Sequence, residues 1–571
     1  MKKSISIVLV LSIIASIFAM CGVTAFAEND AKSHLVYTEY NGEIEIHQCS
    51  NTPTGDFVIP DTIDGFPVTT IADTAFQITQ QVTSITIPAT VKKIGKEAFA
   101  GTLSVERYIV DDANEHFVND EYGVLYNKDK TELISFPDAS PVTEYNIPEG
   151  VVSVAQSAFD NCEILETITI PASVESLGYF SNDFGVYNPF ELCKGLKQFI
   201  VDEDNEYFMN DEYGVLFNKD QTILIKYPAK SIFKEYSIPV GTQSILIDSF
   251  GFSLNLEKVV IPSTVTDIDH AAFHYMPNLK TVEMNAIIET LEGWIFLGCC
   301  SLENISFPVG MKSMYDNIFT YGSSLKTVVL PEGLESMYGP FFACYGVENI
   351  TIPDSVISME GAQFFECISL KNVNIPSKIK VINANMFYDC YSLDVFSVPE
   401  TVEEIQEYAF MNCYSMTDIY FYNPDIVIAD MAVGFAEQQI VGDVDTYIQL
   451  FAELYDIAIT QHCYDNEDET VVNAIMDEIS KMVIPSDEYV KSENLVIHGY
   501  KGSTAEAYAK KFGFKFVLIC DHEDTEIINA TVADCENDGY TGDTYCFYCE
   551  DIVSYGEIIP SQGHNYIENI I

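Results

Sequence analysis

Apolar residues return along most of the chain in one fixed register. An Ile-Pro or related dipeptide places its proline at Pro60, Pro88, Pro148, Pro171, Pro239, Pro262, Pro308, Pro331, Pro353, Pro376 and Pro399. In the second half the steps are 23, 46, 23, 22, 23 and 23 residues, and the 46 is two periods with Asn285 where a proline would stand. Eleven residues after most of these prolines comes a phenylalanine: Phe99, Phe159, Phe250, Phe273, Phe319, Phe364, Phe387 and Phe410. Pro331 is followed by Phe341 at ten, which accounts for the single 22-residue step. An aliphatic follows six residues further on, as at Leu165, Leu256, Leu279, Leu325, Leu370 and Leu393.

The stretch Leu165-x-x-Ile168-x-Ile170-Pro171 alternates with period two, which predicts a short strand with one buried face. Proline has no N–H for a following ladder, so it ends the strand. The next segment, such as Val91-x-x-Ile94-Gly95-x-x-Ala98-Phe99, carries apolar side chains inward and turns the chain back. One repeat cannot bury its own apolar side, whereas stacked repeats bury a continuous core. The expectation is a β-rich repeat solenoid of the α/β type, with one strand per coil in a parallel sheet. It would hold about twelve coils between Phe57 and Phe421.

Alternation also names the side chains that face outward. In the later coils these are Thr327 and Val329, Asn349 and Thr351, Asn372 and Asn374, Ser397, and Asp418 and Tyr420. The face is polar and mostly uncharged, and solenoids commonly bind on the sheet surface, where side chains of successive coils stand in rows. The same composition would also suit a strand face that is merely soluble. Two near-identical passages, Asn119–Asp129 and Asn210–Asp220, lie 91 residues apart. Each predicts a β-hairpin around an Asn-Lys-Asp turn, and these inserts are the rival binding elements.

Beyond Phe421 the pattern changes. Residues Ile440–Ile459 and Val471–Met482 have helical spacing, with Tyr447, Leu450, Phe451 and Leu454, then Val472, Ile475, Met476 and Ile479, on one face. They predict two amphipathic helices forming a cap or small insert over the solenoid end. Leu495–Val517 then has the order strand, glycine turn, helix capped by Ser503 or Thr504, stop at Gly513, strand.

The last stretch carries Cys520, His522, Cys535, Cys546, Cys549 and His564. A Cys-x-x-Cys pair with outlying Cys and His supplies the ligands tetrahedral zinc prefers, and so small a segment needs a staple. A disulfide arrangement or free thiols are the alternatives. The stretch also resembles a short module near the ends of secreted proteins of gut Firmicutes. That resemblance puts Cys535, Cys546, Cys549 and His564 on the recurring positions, as the expected structural zinc set, with Cys520 and His522 as alternates. A further cysteine register, Cys162, Cys193, Cys299, Cys344, Cys367, Cys390 and Cys413, follows the phenylalanine by three residues. Its expected role is a small buried hydrophobe rather than a thiol or metal ladder.

At the start, Lys2 and Lys3 precede an apolar run from Ile5 to Ala19, and Ala25-Phe26-Ala27 is a small-x-small cleavage site. This is the layout of a secretory signal peptide, which places the protein outside the cell. No later stretch approaches ~20 apolar residues, so no transmembrane helix is expected. A hydrophobic fraction of 48% excludes global disorder. The net charge of −58 excludes nucleic acid as a partner and favours a soluble monomer.

Ile87-Pro-Ala-Thr-Val-Lys-Lys-Ile-Gly-Lys-Glu-Ala-Phe99 resembles the BspA-type leucine-rich repeat found in surface proteins of anaerobic bacteria, Firmicutes among them. The resemblance extends roughly over residues 36–425. It implies a solenoid and, from characterised members, adhesion to host or matrix proteins. The resulting plan is a signal peptide over 1–27 and a leucine-rich-repeat solenoid over 28–425 with hairpin inserts near 111–146 and 202–237. A helical insert or cap over 426–485, a closing strand-helix-strand unit over 486–519 and a Cys/His module over 520–571 complete it. The expected function is non-catalytic binding of an extracellular protein or glycan, since Gly-x-Ser-x-Gly, His-Glu-x-x-His and Ser-x-x-Lys with its partners form no convincing set. The alternatives are an accessory or scaffold region of a secreted glycan-active system, or a hydrolase of unrecognised type.

Overall fold

The computed structural model describes residues 31–561 apart from 78, 179, 182–184, 187, 441–445, 448, 452, 455–456, 458–468, 521, 523–524, 535 and 547–550. The expected signal peptide over 1–27 lies outside the described residues. The chain divides into two compact units at Lys128/Asp129.

In the first unit an antiparallel hairpin, Leu35–Tyr40 with Glu43–Cys49, turns at Asn41-Gly42, both left-handed. Its second strand pairs in parallel with Phe66–Ile71, which in turn pairs with Lys93–Ile94. A second parallel row joins Gly55–Val58, Val82–Ile87 and Arg107–Val110. Phe76 and Phe99, equivalent in successive coils, lie with ring centroids 5.3 Å apart.

The second unit repeats this arrangement many times. One row of parallel strands holds Lys258–Ile261, Thr281–Met284 and Asn304–Ile305, then Thr327–Val329, Asn349–Thr351 and Asn372–Val373. The other row holds strands of two or three residues, such as Ser313–Met314, Ser336–Tyr338 and Ser358–Glu360. Each coil thus gives two strands where the sequence predicts one. The second is too short to leave an alternation that can be told from a turn.

Partners in a ladder are separated by one repeat, as Val259 with Val282 and Ile350 with Val373. The phenylalanine register becomes a stack of rings along the core, at 4.7 Å for Phe250–Phe273 and 5.0 Å for Phe387–Phe410, with interplanar angles of 16° and 14°. Such pairs contribute about 0.5–1.5 kcal/mol each beyond their buried area. Lysine and glutamate also meet across coils in this register, as Lys312 with Glu335 and Lys380 with Glu403.

The repeated insert in the second unit is an antiparallel meander rather than one hairpin. Phe208–Asn210 pairs with Leu216–Asn218 across a turn in which Oδ1 of Asp211 accepts N–H groups from Tyr213 and Val215. The Asn218-Lys219-Asp220 turn then leads into Ile223–Lys226, which is antiparallel to Leu216–Asn218 and joins the second row. In the first unit the corresponding turn after Phe117–Asn119 is built the same way around Asp120.

The helical segment stands on an antiparallel stem, Phe435–Ile440 with Val483–Lys491. Its side chains Tyr447, Leu454, Ile475 and Ile479 bury against Ala343, Tyr345, Ile368 and Tyr391. That is a flank of several coils, not the solenoid end where a cap was expected. The end belongs to the closing unit. Asp418–Phe421 pairs with Val496–Gly499, and that strand pairs with Lys515–Leu518. The connecting helix Thr504–Phe512 has Ser503 as its N-cap, accepting from Glu506 N–H, and left-handed Gly513 as its C-cap. From Phe421 the coil runs on through Val427–Ile428 in the second row, departs at Phe435 and returns to the first row at Val496, so the excursion falls on the side.

Candidate functional site

The outward residues named from the sequence do stand on the solvent side of the first row. Thr327, Asn349 and Asn372 are direct ladder neighbours, as are Val329 and Thr351. Val329 is 64% exposed, between buried Val328 and Leu330. Nδ2 of Asn372 donates to Oδ1 of Asn349 at 2.7 Å, so the amides form a short ladder of their own. Asn374 differs from this description. Its amide is committed to the backbone of Ile352, accepting from N at 2.8 Å and donating to O at 2.7 Å.

The ladder of this row is interrupted on both sides of the three strands Thr327–Val329, Asn349–Thr351 and Asn372–Val373. At the first break a shallow crevice of about 430 Å³ opens, lined among others by Glu303, Ile305, Phe307, Thr327 and Val329. Past the second break Ser397 is the ladder partner of Tyr420, and Tyr420 is that of His498. The Tyr420 and His498 rings stack at 4.1 Å and 15°. Nε2 of His498 lies 2.7 Å from Oδ1 of Asp418. Hydrogen bonds with His498 and Thr417 hold the Asp418 carboxyl below the usual carboxylate range. The strand alternation predicted Asp418 and Tyr420. It could not supply His498, which is brought alongside from beyond the helical insert.

The cysteine register is buried. Thiols donate to the phenylalanine carbonyl of the preceding coil, from Cys367 to Phe341 and from Cys299 to Phe273, both at 3.0 Å. Burial pushes the Cys344 thiol up to about 12 and others of the register well above their ordinary value. A protonated, enclosed thiol is a poor nucleophile. Sequence reasoning missed a buried polar group beside it: the Lys226 ammonium contacts the Asp248 carboxylate, with both side chains sealed from solvent, and His274 Nε2 is 3.2 Å from Asp248 Oδ1. No spacing rule points to it, because its three residues stand at three different coil positions that hold mixed residue types in other coils.

In the C-terminal module, Cys546 ends the strand Asp543–Cys546 and is the antiparallel partner of Thr525. Cys520 lies just past the closing strand, and His522 follows with a left-handed backbone. One ligand atom from each of Cys520, His522 and Cys546 falls within 4.8 Å of the other two. The two sulfurs are 3.4 Å apart. Thiolates on a tetrahedral zinc, with bonds of ~2.3 Å, stand roughly 3.8 Å apart, so the set fits that ion with little movement. Of the expected zinc set, Cys546 is in this cluster, together with both alternates. Cys535, Cys549 and His564 lie outside the described residues.

Coils of one period, stacked aromatics and parallel ladders define a leucine-rich-repeat solenoid. The BspA type leucine rich repeat region matches residues 42–139, 134–183, 243–344 and 337–437, in six copies, and the chain belongs to this family. Among solved structures it is similar to a leucine-rich repeat protein of Bacteroides ovatus at 18% identity, covering 87% of this chain and 100% of that one, with a TM-score of 0.38. A leucine rich cell surface protein of Faecalibacterium prausnitzii matches at 22% identity over 62% of this chain and 96% of its own, with a TM-score of 0.35. A leucine-rich repeat protein of Eubacterium ventriosum matches at 19% identity over 65% of this chain and 90% of its own, again at 0.35. No curated protein matches the sequence.

Proposed function

We propose that this is a secreted, non-catalytic binding protein that takes an extracellular protein or glycan on the sheet face of its second unit. The carrying observation is the strip Thr327, Val329, Asn349, Thr351 and Asn372, uncharged and open to solvent in a chain of net charge −58. Uncharged side chains in rows give hydrogen bonds and contact without the desolvation cost of burying charge. Secretion is supported by the Lys2-Lys3 start, the apolar run and Ala25-Phe26-Ala27. No described helix is long and apolar enough to cross a membrane. The absence of catalysis is supported by the enclosed thiols and by the Lys226–Asp248 pair, which no substrate can reach. Cys520, His522 and Cys546 would hold a structural zinc, with a fourth ligand from the remaining Cys/His residues of the module.

The test is an array of glycans and extracellular matrix proteins probed with the mature chain. Thr351→Arg and Asn372→Arg each weaken capture about ten-fold by steric and charge obstruction, with the melting temperature unchanged. Undiminished capture by both variants moves the site off this face.

A further inference from the structure

Trp294 is the single tryptophan of the chain and is 49% exposed. It stands two residues before Phe296 on the edge that joins the second strand row to the phenylalanine stack. The neighbouring coil places Tyr315, 41% exposed, on the same edge, stacked on Tyr338 at 5.1 Å and 12°. The imidazole of His270 lies 6.5 Å from the indole on the other side. Large aromatic side chains are costly to leave in water, and here they gather within a few coils.

The same edge concentrates acid. Leu291 pairs with Met314, which brings Glu292 level with Tyr315. The Trp294 backbone N–H donates to the backbone carbonyl of Asp316, so that residue is the tryptophan's neighbour across the coil. Partial burial, with the nearby Asp269 charge, raises the Glu292 carboxyl above its ordinary value, and partial burial raises that of Asp316. Elsewhere in the repeat, glutamates at strand entries meet a lysine of an adjacent coil, as Glu257 with Lys234 and Lys280, Glu335 with Lys312 and Glu348 with Lys371, whereas Glu292 and Asp316 stand past the strand ends, outside that register. Among the described residues, neither Glu292 nor Asp316 has a lysine or arginine at ion-pair distance. Among the described residues, the basic group near them is His270, which is engaged with Asp269 at 2.7 Å.

We propose that this edge docks an arginine- or lysine-bearing peptide segment of a partner protein, its cationic head seated among Trp294, Tyr315 and the carboxylates of Glu292 and Asp316. Aromatic rings attract a cation through their quadrupole, and the two carboxylates supply its counter-charge. This surface is separate from the sheet face, so either can fail without the other.

The single tryptophan makes the test local. Trp294 emission of the full chain is titrated with octa-arginine at physiological ionic strength, with octa-glutamate and a neutral oligosaccharide as controls. Octa-arginine gives a saturable change. The midpoint rises about ten-fold in Glu292→Gln/Asp316→Asn and in Tyr315→Ala. It stays within about two-fold in Glu335→Gln/Glu348→Gln, which removes equal charge elsewhere. Thermal melts establish that all variants fold. Equal weakening by both charge pairs would reduce the effect to diffuse attraction by an acidic chain and overturn the proposal. No change in emission, or a change with the oligosaccharide alone, overturns it too.

Discussion

The Asn374 side chain grips the backbone of Ile352 in the preceding coil, accepting its N–H and donating to its carbonyl. It stands in for a ladder rung at the point where the strand Asn372–Val373 has already ended. Asn372, two residues earlier, donates only to another exposed side chain. Two asparagines with the same apparent address on the sheet therefore have different jobs.

Asn374→Ala leaves two backbone groups of Ile352 without their partner and lowers stability by about 1–2 kcal/mol. Asn372→Ala stays within about 0.5 kcal/mol. Urea denaturation of the two variants side by side measures the difference. Equal values would mean that the Asn374 amide contributes no more than a surface contact.

Glu366 is buried, and desolvation pushes its carboxyl up to about 7. An unfolded glutamate titrates near ~4.3, so the folded chain holds this proton more tightly. The stabilisation is complete below about pH 4 and is lost as pH rises through 7. Glu366→Gln removes that loss. The fall in unfolding free energy between pH 5 and pH 8 becomes smaller by about 1–3 kcal/mol than in the parent chain. Denaturation at the two pH values decides it, and an identical pH dependence in both proteins would show that Glu366 ionises freely.

Metal analysis of the purified chain gives about one zinc per molecule. Cys520→Ser with Cys546→Ser abolishes it, and chelation makes residues beyond 519 sensitive to protease while the coils resist. A chain without zinc in which mass spectrometry finds Cys520 joined to Cys546 would replace the metal with a disulfide.

How far the sequence discloses this molecule depends on whether a feature repeats. The 23-residue register revealed the strand Thr327–Val329, the phenylalanine stack and the buried cysteines, because each recurs with the period of the coil. The second row did not emerge, since Ser313–Met314 is too short to alternate. Stacking His498 on Tyr420 requires knowing that a long excursion returns to the adjacent rung. The Lys226–Asp248 pair and the acid-rich edge at Trp294 are made by residues that differ from coil to coil, which the repeat register does not record.

The excursion between Phe435 and Lys491 also bears on the order of assembly. Upstream, each strand meets its partner after one turn of chain, a short and inexpensive loop to close. Asp418–Phe421 must wait for a strand that begins at Val496. Non-local pairing is slow, and an edge left open while it is awaited can recruit strands from other chains. The C-terminal rung is therefore where newly emerged chains are most exposed to mispairing. Lengthening the excursion should lower the yield of refolded protein more than an equal insertion in the single-turn coils upstream.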